Sequence, residues 1–482
     1  MVFLLLGTIS VNLLPSIYHV VEETFALDGI SPILMVEAGF ILVAAILAVF
    51  WGYFIDKVNR KIVLIVAAMC LFIGFGISAS STKFIWFILG RGLTAIGFGA
   101  QVPAIYSIMA DLIPAKHWSK VFAGIALLVG MSNFFGNFIS GFLTPFDIWG
   151  FSWQISFVFL TFGSFFCGVV LFFIVIPNRG ASSIGVVDED LGEELRTGNV
   201  GYNFTIKKGD ISGIWKSKIN RWIVLQAFFY VIPGATMASF LIYYFIDSPF
   251  QSFPALLQIQ IAEIFAAAVG VGYILGTIIL GPIFDNIRKK NPNLRARFSY
   301  IMLAIAMPMI MIAFFCIVPV DYSALNLPDF NDVAAILDLQ TYILIVGAIL
   351  THHPIYGVYF FVLFIGGFFA APITIDRTPT LLEVNLPEHS ASTQALLNFS
   401  DQFGKGITFL IIAFQYVVYD ILFHSIFSGK LILVASVVWY IIPILCWRKI
   451  SQKISPEIEK KNVIMQERAN TLRALNEMLK YQ

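Results

Sequence analysis

Between residues 52 and 61 the chain reads Gly52-Tyr-Phe-Ile-Asp56-Lys57-Val-Asn-Arg60-Lys61. A glycine here lets two helices approach closely. Four residues on, the Asp56 carboxylate can meet the positive N-terminus of another helix, and Arg60 and Lys61 supply the cations of an ion-pair latch. A weaker copy follows at Gly281-Pro-Ile-Phe-Asp285-Asn-Ile-Arg288-Lys289-Lys290. Gly52, Asp56, Arg60, Lys61, Gly281, Asp285 and Lys289 are therefore the expected members of a gate that opens and closes.

A second group of candidates consists of ionisable residues inside long apolar stretches, where they are expensive and usually face a partner or a water-filled path. His19, Glu23, Glu37 and Arg91 fall at a similar height on three neighbouring stretches. Arg91 is the fixed cation, Glu37 or Glu23 its partner and His19 the titratable member. Asn12, Ser16, His19 and Glu23 also share one helical face by their spacing. Further along are Asp376, Arg377 and Asp401, with Glu263 near the outer end of its stretch. Asp401 should lie near the midplane, either as a proton or cation site or paired with Arg377 or Lys405. Asn12, Gln101, Asn133, Gln226, Tyr230 and Asn398 are candidate cavity-lining groups.

Other chemistries have no footing. Cys70, Cys167, Cys316 and Cys446 sit singly in apolar runs, so they read as small buried hydrophobes. The His352-His353 pair lacks a third ligand, and no metal or cofactor is expected. There is no GxxxxGK[ST] loop for ATP and no HExxH or GxSxG array. Thirty Lys and Arg against 29 Asp and Glu leave a net charge of +1, which gives no field for nucleic acid.

The elements that must position these residues follow from composition. Of 482 residues, 59% are hydrophobic and 12% charged, and the mean hydropathy is +0.85. That is too little charge to cover a water-soluble protein of this size. A crossing helix needs about 20 mostly apolar residues. Twelve such stretches occur: 2–24, 33–55, 61–80, 84–110, 119–143, 153–177, 219–246, 258–283, 298–319, 355–384, 391–423 and 429–447. The expected plan is an all-α membrane protein with a six-helix bundle at 1–178, a polar cytoplasmic linker at 179–218, a second bundle at 219–447 and a tail at 448–482. With the N-terminus inside, 25 basic residues face the cytoplasm and two the exterior, so both termini are expected to be cytoplasmic. The outer loop 320–354 carries an apolar run, Tyr342–Leu350, too short to span. In the tail Ser455 can cap a helix opened by Pro456, and Ile458, Met465, Leu472 and Leu479 recur every seven residues.

The Gly52–Lys61 segment resembles the signature of the major facilitator superfamily, G-x-x-x-D-[RK]-x-x-R-[RK]. Its recurrence after span 8 is what parallel six-helix repeats would give. Arg91-Gly92 with Gly97 and Gly99 resembles the family's span-4 element. Asp111-Leu-Ile-Pro114 and Glu383-Val-Asn-Leu-Pro387 resemble its loops after spans 4 and 10, and Ser132-x-x-x-Gly136-Asn137-x-x-Ser140-Gly141 is similar to a degraded antiporter motif. Arg91-Gly-Leu through Asp111-Leu, Val11-Asn-Leu-Leu and Ile176-Pro-Asn-Arg-Gly look most like Spinster-type lipid transporters. That family's Asp-Arg pair and span-4 glutamate are here Tyr18-His19 and Phe98, so its proton-coupling mechanism does not carry over.

The resemblance implies the major facilitator fold: twelve transmembrane helices in two pseudo-symmetric six-helix bundles. It also implies a monomeric secondary transporter of the cell membrane, moving a small organic, amphipathic or lipid-like solute on a proton or solute gradient. A transporter-shaped receptor or scaffold is the alternative; an enzyme is not expected.

Overall fold

The computed structural model describes residues 1–14, 17–27, 31–114, 117–144, 150–174, 176, 190–191, 204, 208–327, 339–422 and 426–480. Most of the expected linker lies outside this set, as do Ser16, Asp329, Asp332 and Asp338. So do the side chains of His19, Asn133, Lys289 and Leu479.

The described elements are helices, with no strand among the described residues. Its helices are α1 (Val2–Val11), α2 (Tyr18–Phe25), α3 (Ser31–Lys57), α4 (Arg60–Ala79), α5 (Phe84–Leu112), α6 (Trp118–Leu143) and α7 (Gln154–Phe173). A short α8 (Lys208–Lys216) leads into α9 (Lys218–Thr236) and α10 (Ile242–Asp247). Then come α11 (Ala255–Lys290), α12 (Pro292–Phe315), α13 (Leu339–His352), α14 (Ile355–Val384), α15 (Ser390–Leu422), α16 (Ile426–Val438), α17 (Ile441–Ile450) and α18 (Ile454–Lys480). Eight segments are long and apolar enough to span on their own: α3, α4, α5, α7, α11, α12, α14 and the α16–α17 pair. The remaining crossings are α1–α2, α6, α9–α10 and α15. This is the twelve-helix, two-bundle fold expected from the sequence.

Two crossings are interrupted for local reasons. The first ends as α1 at Val11, capped by Asn12, and resumes as α2 at Tyr18. The seventh passes through a five-residue π turn, Met237–Leu241, just after Pro233, an irregularity often found at functional sites. Burial forms two main cores, the first of which also takes in Leu382, Ala391 and Phe409 of the second half. Leu4, Ile41, Leu71, Phe87 and Phe157 belong to one apolar core, and Ile223, Phe265, Leu303, Tyr359 and Trp447 to another. Ala123 of α6, with Leu280 and Phe284 of α11, stitches them together. Large side chains such as Phe54, Phe166, Phe173 and Phe414 are more than half exposed, which is tolerable only where the solvent is hydrocarbon.

The run at 342–350 forms the middle of α13, which buries Thr341, Ile345 and Ile349 without crossing. The tail helix begins at Ile454, two residues before the Pro456 start that the Ser455 cap predicts. Ser455 instead donates its hydroxyl to Asn293 Oδ1 at the start of α12, 3.0 Å away.

Candidate functional site

The end of the bundle that carries Asp56 and Asp285 is here termed the inner end, after the distribution of Lys and Arg. Asp56 closes the last turn of α3 and is almost fully buried. One of its oxygens accepts from Ala391 N at 3.1 Å; the other accepts from Ser392 N at 2.6 Å and Ser392 Oγ at 2.7 Å. These groups open α15 of the opposite half, where backbone donors lack intrahelical partners and the helix dipole is positive. Gly52 makes the approach possible: a Cβ there would stand 2.2 Å from that of Ala395 and 3.0 Å from Ala391 O.

The second copy repeats the arrangement with the halves exchanged. Asp285 on α11 accepts from Lys120 N, in the first turn of α6, at 2.8 Å, and Gly281 is buried one turn before it. A small cavity lined by Ala110, Asp111, Trp118, Leu382, Asn385 and Ser390 lies at this end, so both clasps close one mouth.

The basic residues behave differently from the sequence expectation. Arg60 donates to Asp111 Oδ2 at 2.7 Å and to Ser107, all within its own half. Lys61 turns away and donates to Phe172 O at 2.7 Å on the exposed side. The reason is geometric: both residues open α4, which packs on α5 and α7 rather than across the gate. The contacts that cross to the opposite helix start are those of Asp56 and Asp285. In the second half Arg288 pairs with Glu383 and lies 5.5 Å from the ring of Trp118 on α6.

Arg295 is not among the residues that the sequence singles out. Arg295 lies in the first turn of α12 and is fully buried. It grips both Glu383 oxygens at 2.9 Å, donates to Thr380 Oγ1 at 2.8 Å and pairs with Asp376. Ser299 and Thr380 each donate to Asp376 at 2.9 Å. Asp376 is thereby held in an inner-end network and does not face the centre. The signal was present: Asp376 and Glu383 are two helical turns apart on one face of span 10, and two buried acids require a cation.

Nearer the outer end, Arg91 bonds Glu37 at 2.7 Å and Ser10 O at 3.2 Å, with Phe40 packed 4.0 Å from its guanidinium. Both charged groups are almost completely buried. Glu23 is exposed and takes no part, because the break after Val11 separates α2 from α1. Among the lining candidates, Gln101 is fully buried and donates to Phe3 O on α1. Asn12 bonds its own helix at Thr8 O, 3.1 Å away, and Tyr230 bonds Ala370 O at 2.9 Å. Gly136 of the antiporter-like segment has a packing role: a Cβ there would stand 2.9 Å from Asn12 O.

The central pair is Arg377 of α14 with Asp401 of α15. Two parallel contacts of 2.8 Å join them, the bidentate form that fixes both partners. Gln226 on α9 is fully buried, and neither amide atom has a hydrogen-bond partner.

Beneath the inner end lies α18. Its heptad residues Met465 and Leu472, with Ala469, are buried against Leu191 and Leu386. Arg468 grips Glu388 through both terminal nitrogens, at 2.7 and 2.6 Å. Lys461 donates to Leu382 O at 2.9 Å and lies 6.0 Å from the ring of Trp118. Burial pushes the Lys461 ammonium down to about 8 from 10.5, with Arg288 acting in the same direction and Glu383 and Glu388 against it. An undocked tail keeps its proton to about pH 10.5 and so binds more protons than the docked one between pH 8 and 10.5. Docking therefore strengthens as pH rises through that window, and the cost of burying the charge is fully present below it. Spin-label distances between α14 and α18 should narrow to the docked population from pH 7.5 to 9.5, and Lys461→Met should remove the dependence. A flat wild-type profile would contradict this assignment.

With this geometry in hand, the family can be stated. The chain belongs to the Major Facilitator Superfamily, whose sequence profile matches residues 1–331. It is 33% identical over 94 residues to an uncharacterized MFS-type transporter of Bacillus subtilis, YwfA, which is 18% of this chain and 22% of that one. It is 23% identical over 193 residues to an uncharacterized MFS-type transporter of Schizosaccharomyces pombe, covering 39% of this chain and 32% of the relative. The chain thus spans a third or less of these relatives' own length. In three dimensions it matches the Escherichia coli fucose:proton symporter FucP with a TM-score of 0.60 at 14% identity, over 93% of this chain and 95% of that one. The human organic anion transporter MFSD10 matches with a TM-score of 0.59 at 13% identity, over 92% and 97%. These likenesses define the fold.

Proposed function

We propose that the protein is a secondary active transporter that moves a small organic solute across a membrane by alternating access. The observation that carries this reading is the pair of Asp clasps. Asp56 seizes the start of α15 and Asp285 the start of α6, so each half holds the other at the inner mouth, with the Arg377–Asp401 pair above. Such contacts are made and broken as units, which is what rocking of two rigid halves requires. Membership of a family with named symporters of the same fold adds support. In this reading residues 1–178 and 219–447 are the moving halves, 179–218 the cytoplasmic linker and 448–482 a tail on the inner face. The captured state is closed on the cytoplasmic side.

The energy source is a proton or solute gradient. Resemblance to Spinster-type lipid transporters and the aromatic spans favour an amphipathic solute, although Phe98, where that group has a glutamate, is buried against Phe40. Flux through proteoliposomes under an imposed proton gradient tests the reading. Accumulation that collapses with the gradient supports it. Ligand binding without flux in either direction would instead mark a receptor of transporter shape.

A further inference from the structure

α15 carries Gln394, Asn398, Asp401 and Lys405 at intervals of four, three and four residues, which sets them on one helical face. Leu410, Ile411 and Phe414, on the opposite side, are 39, 48 and 71% exposed and meet lipid. The polar face therefore points into the bundle. Its flanks are occupied: Ala395 and Gly406 abut Gly52 and Leu42 of α3, while Ser400 and Gly404 abut Val224 and Phe228 of α9. The stripe between them is free to face the centre.

The charge count along this stripe does not close. Arg377 takes both oxygens of Asp401. Lys405, one turn further on, has no hydrogen-bond or ion-pair partner among the described residues, and its nearest counter-charge is the Asp401 that Arg377 already holds. Two cations and one anion leave the partly buried Lys405 inside the bundle without a counter-ion of its own, which is costly there. The surrounding amides are also unfilled. Gln394 Nε2 and Asn398 Nδ2 are buried donors without acceptors, and Gln226 is unbonded at both atoms. Tyr230 of α9 and its neighbour Thr374 of α14 add an aromatic and a hydroxyl wall.

Building on the transport reading, we infer that this stripe is the substrate site and that its substrate is an organic carboxylate with an apolar or aromatic body. Lys405 receives the carboxylate and supplies the missing charge balance. The Asn398 and Gln226 amides complete its hydrogen bonds, Gln394 lying three turns of α15 away from Lys405 and outside the reach of one carboxylate, and Asp401 holds Arg377 rather than taking up a cation.

The test uses the full-length protein in lipid nanodiscs and matched ligand pairs: benzoate with benzamide, phenylacetate with phenylacetamide, octanoate with octanamide. Binding is read by calorimetry and thermal shift. Carboxylates should bind at least tenfold more tightly than their amides. Lys405→Gln should lose at least tenfold in carboxylate affinity, and Lys405→Arg should keep most of it, which controls for folding. Equal binding of acids and amides, an unaffected Lys405→Gln variant, or a panel in which no carboxylate binds overturns the assignment. Carboxylate binding without flux would leave this site standing and remove the transporter. Flux of neutral or cationic solutes without carboxylate binding would do the reverse.

Discussion

A double replacement, Asp56→Asn with Asp285→Asn, is expected to convert the inner mouth from closed to mainly open. Asp56 makes three hydrogen bonds to the start of α15, and bonds to a charged group contribute about 1.5–3 kcal/mol each. Asparagine keeps an acceptor oxygen but loses the charge that faces the helix dipole. A loss of about 2 kcal/mol at Asp56 and about 1 kcal/mol at Asp285 is a fair allowance. Together these shift a two-state equilibrium by roughly a hundredfold, since about 1.4 kcal/mol is tenfold. Each single variant should shift it less, and in the same direction, because the two clasps close one mouth. The measurement is labelling by a membrane-impermeant maleimide of a single cysteine at Ala110 or Leu382, which line the inner cavity. Cys70, Cys167, Cys316 and Cys446 must first be replaced. Labelling that stays at the wild-type rate in the double variant would mean that the clasps do not hold the gate.

That Asp56 and Asp285 would each meet a helix start of the other half was legible in the sequence because two simple rules meet there. A glycine one turn before an acid at a helix end predicts a close neighbour with a positive terminus, and the repeat of the pattern predicts that each half contributes one. The basic residues were not legible to the same degree. Arg60 and Lys61 are adjacent, and which helix each one meets depends on how α4 packs against α5 and α7. Twelve crossings could be counted from apolar length alone, but not the break after Val11 that removes Glu23 from the Arg91–Glu37 pair. Arg295 was lost by the same counting. A cation in the first turn of a span looks like a loop residue until the acids opposite it are placed. The stripe on α15 was partly visible: Asn398 and Asp401 stood out as polar residues in a span. Their kinship with Gln394 and Lys405 becomes informative only once the lipid-facing side of the helix is known.

Arg295 is where a single substitution should do most damage. Arg295→Met leaves Asp376 and Glu383 buried beside each other, with Arg288, the charge of Lys461 and hydroxyl donors to offset them. Removing one partner of a buried ion pair costs about 3–5 kcal/mol, because the remaining charge has no water to return to. That is a large part of the stability of a typical domain. The variant should lose its monodisperse peak in detergent or melt many degrees lower than wild type. The contrast with the first half makes the argument specific. Arg60 pairs with Asp111, whose side chain keeps 8% exposure against 0% for Asp376, so Arg60→Met should cost clearly less. Rescue separates charge from packing. If the harm comes from the orphaned carboxylate, Arg295→Met combined with Asp376→Asn should melt higher than Arg295→Met alone. The two substitutions are then non-additive in the favourable direction. If instead the guanidinium acts mainly as a filler between α12 and α14, the second substitution adds its own loss, and the double variant melts lower than either single one.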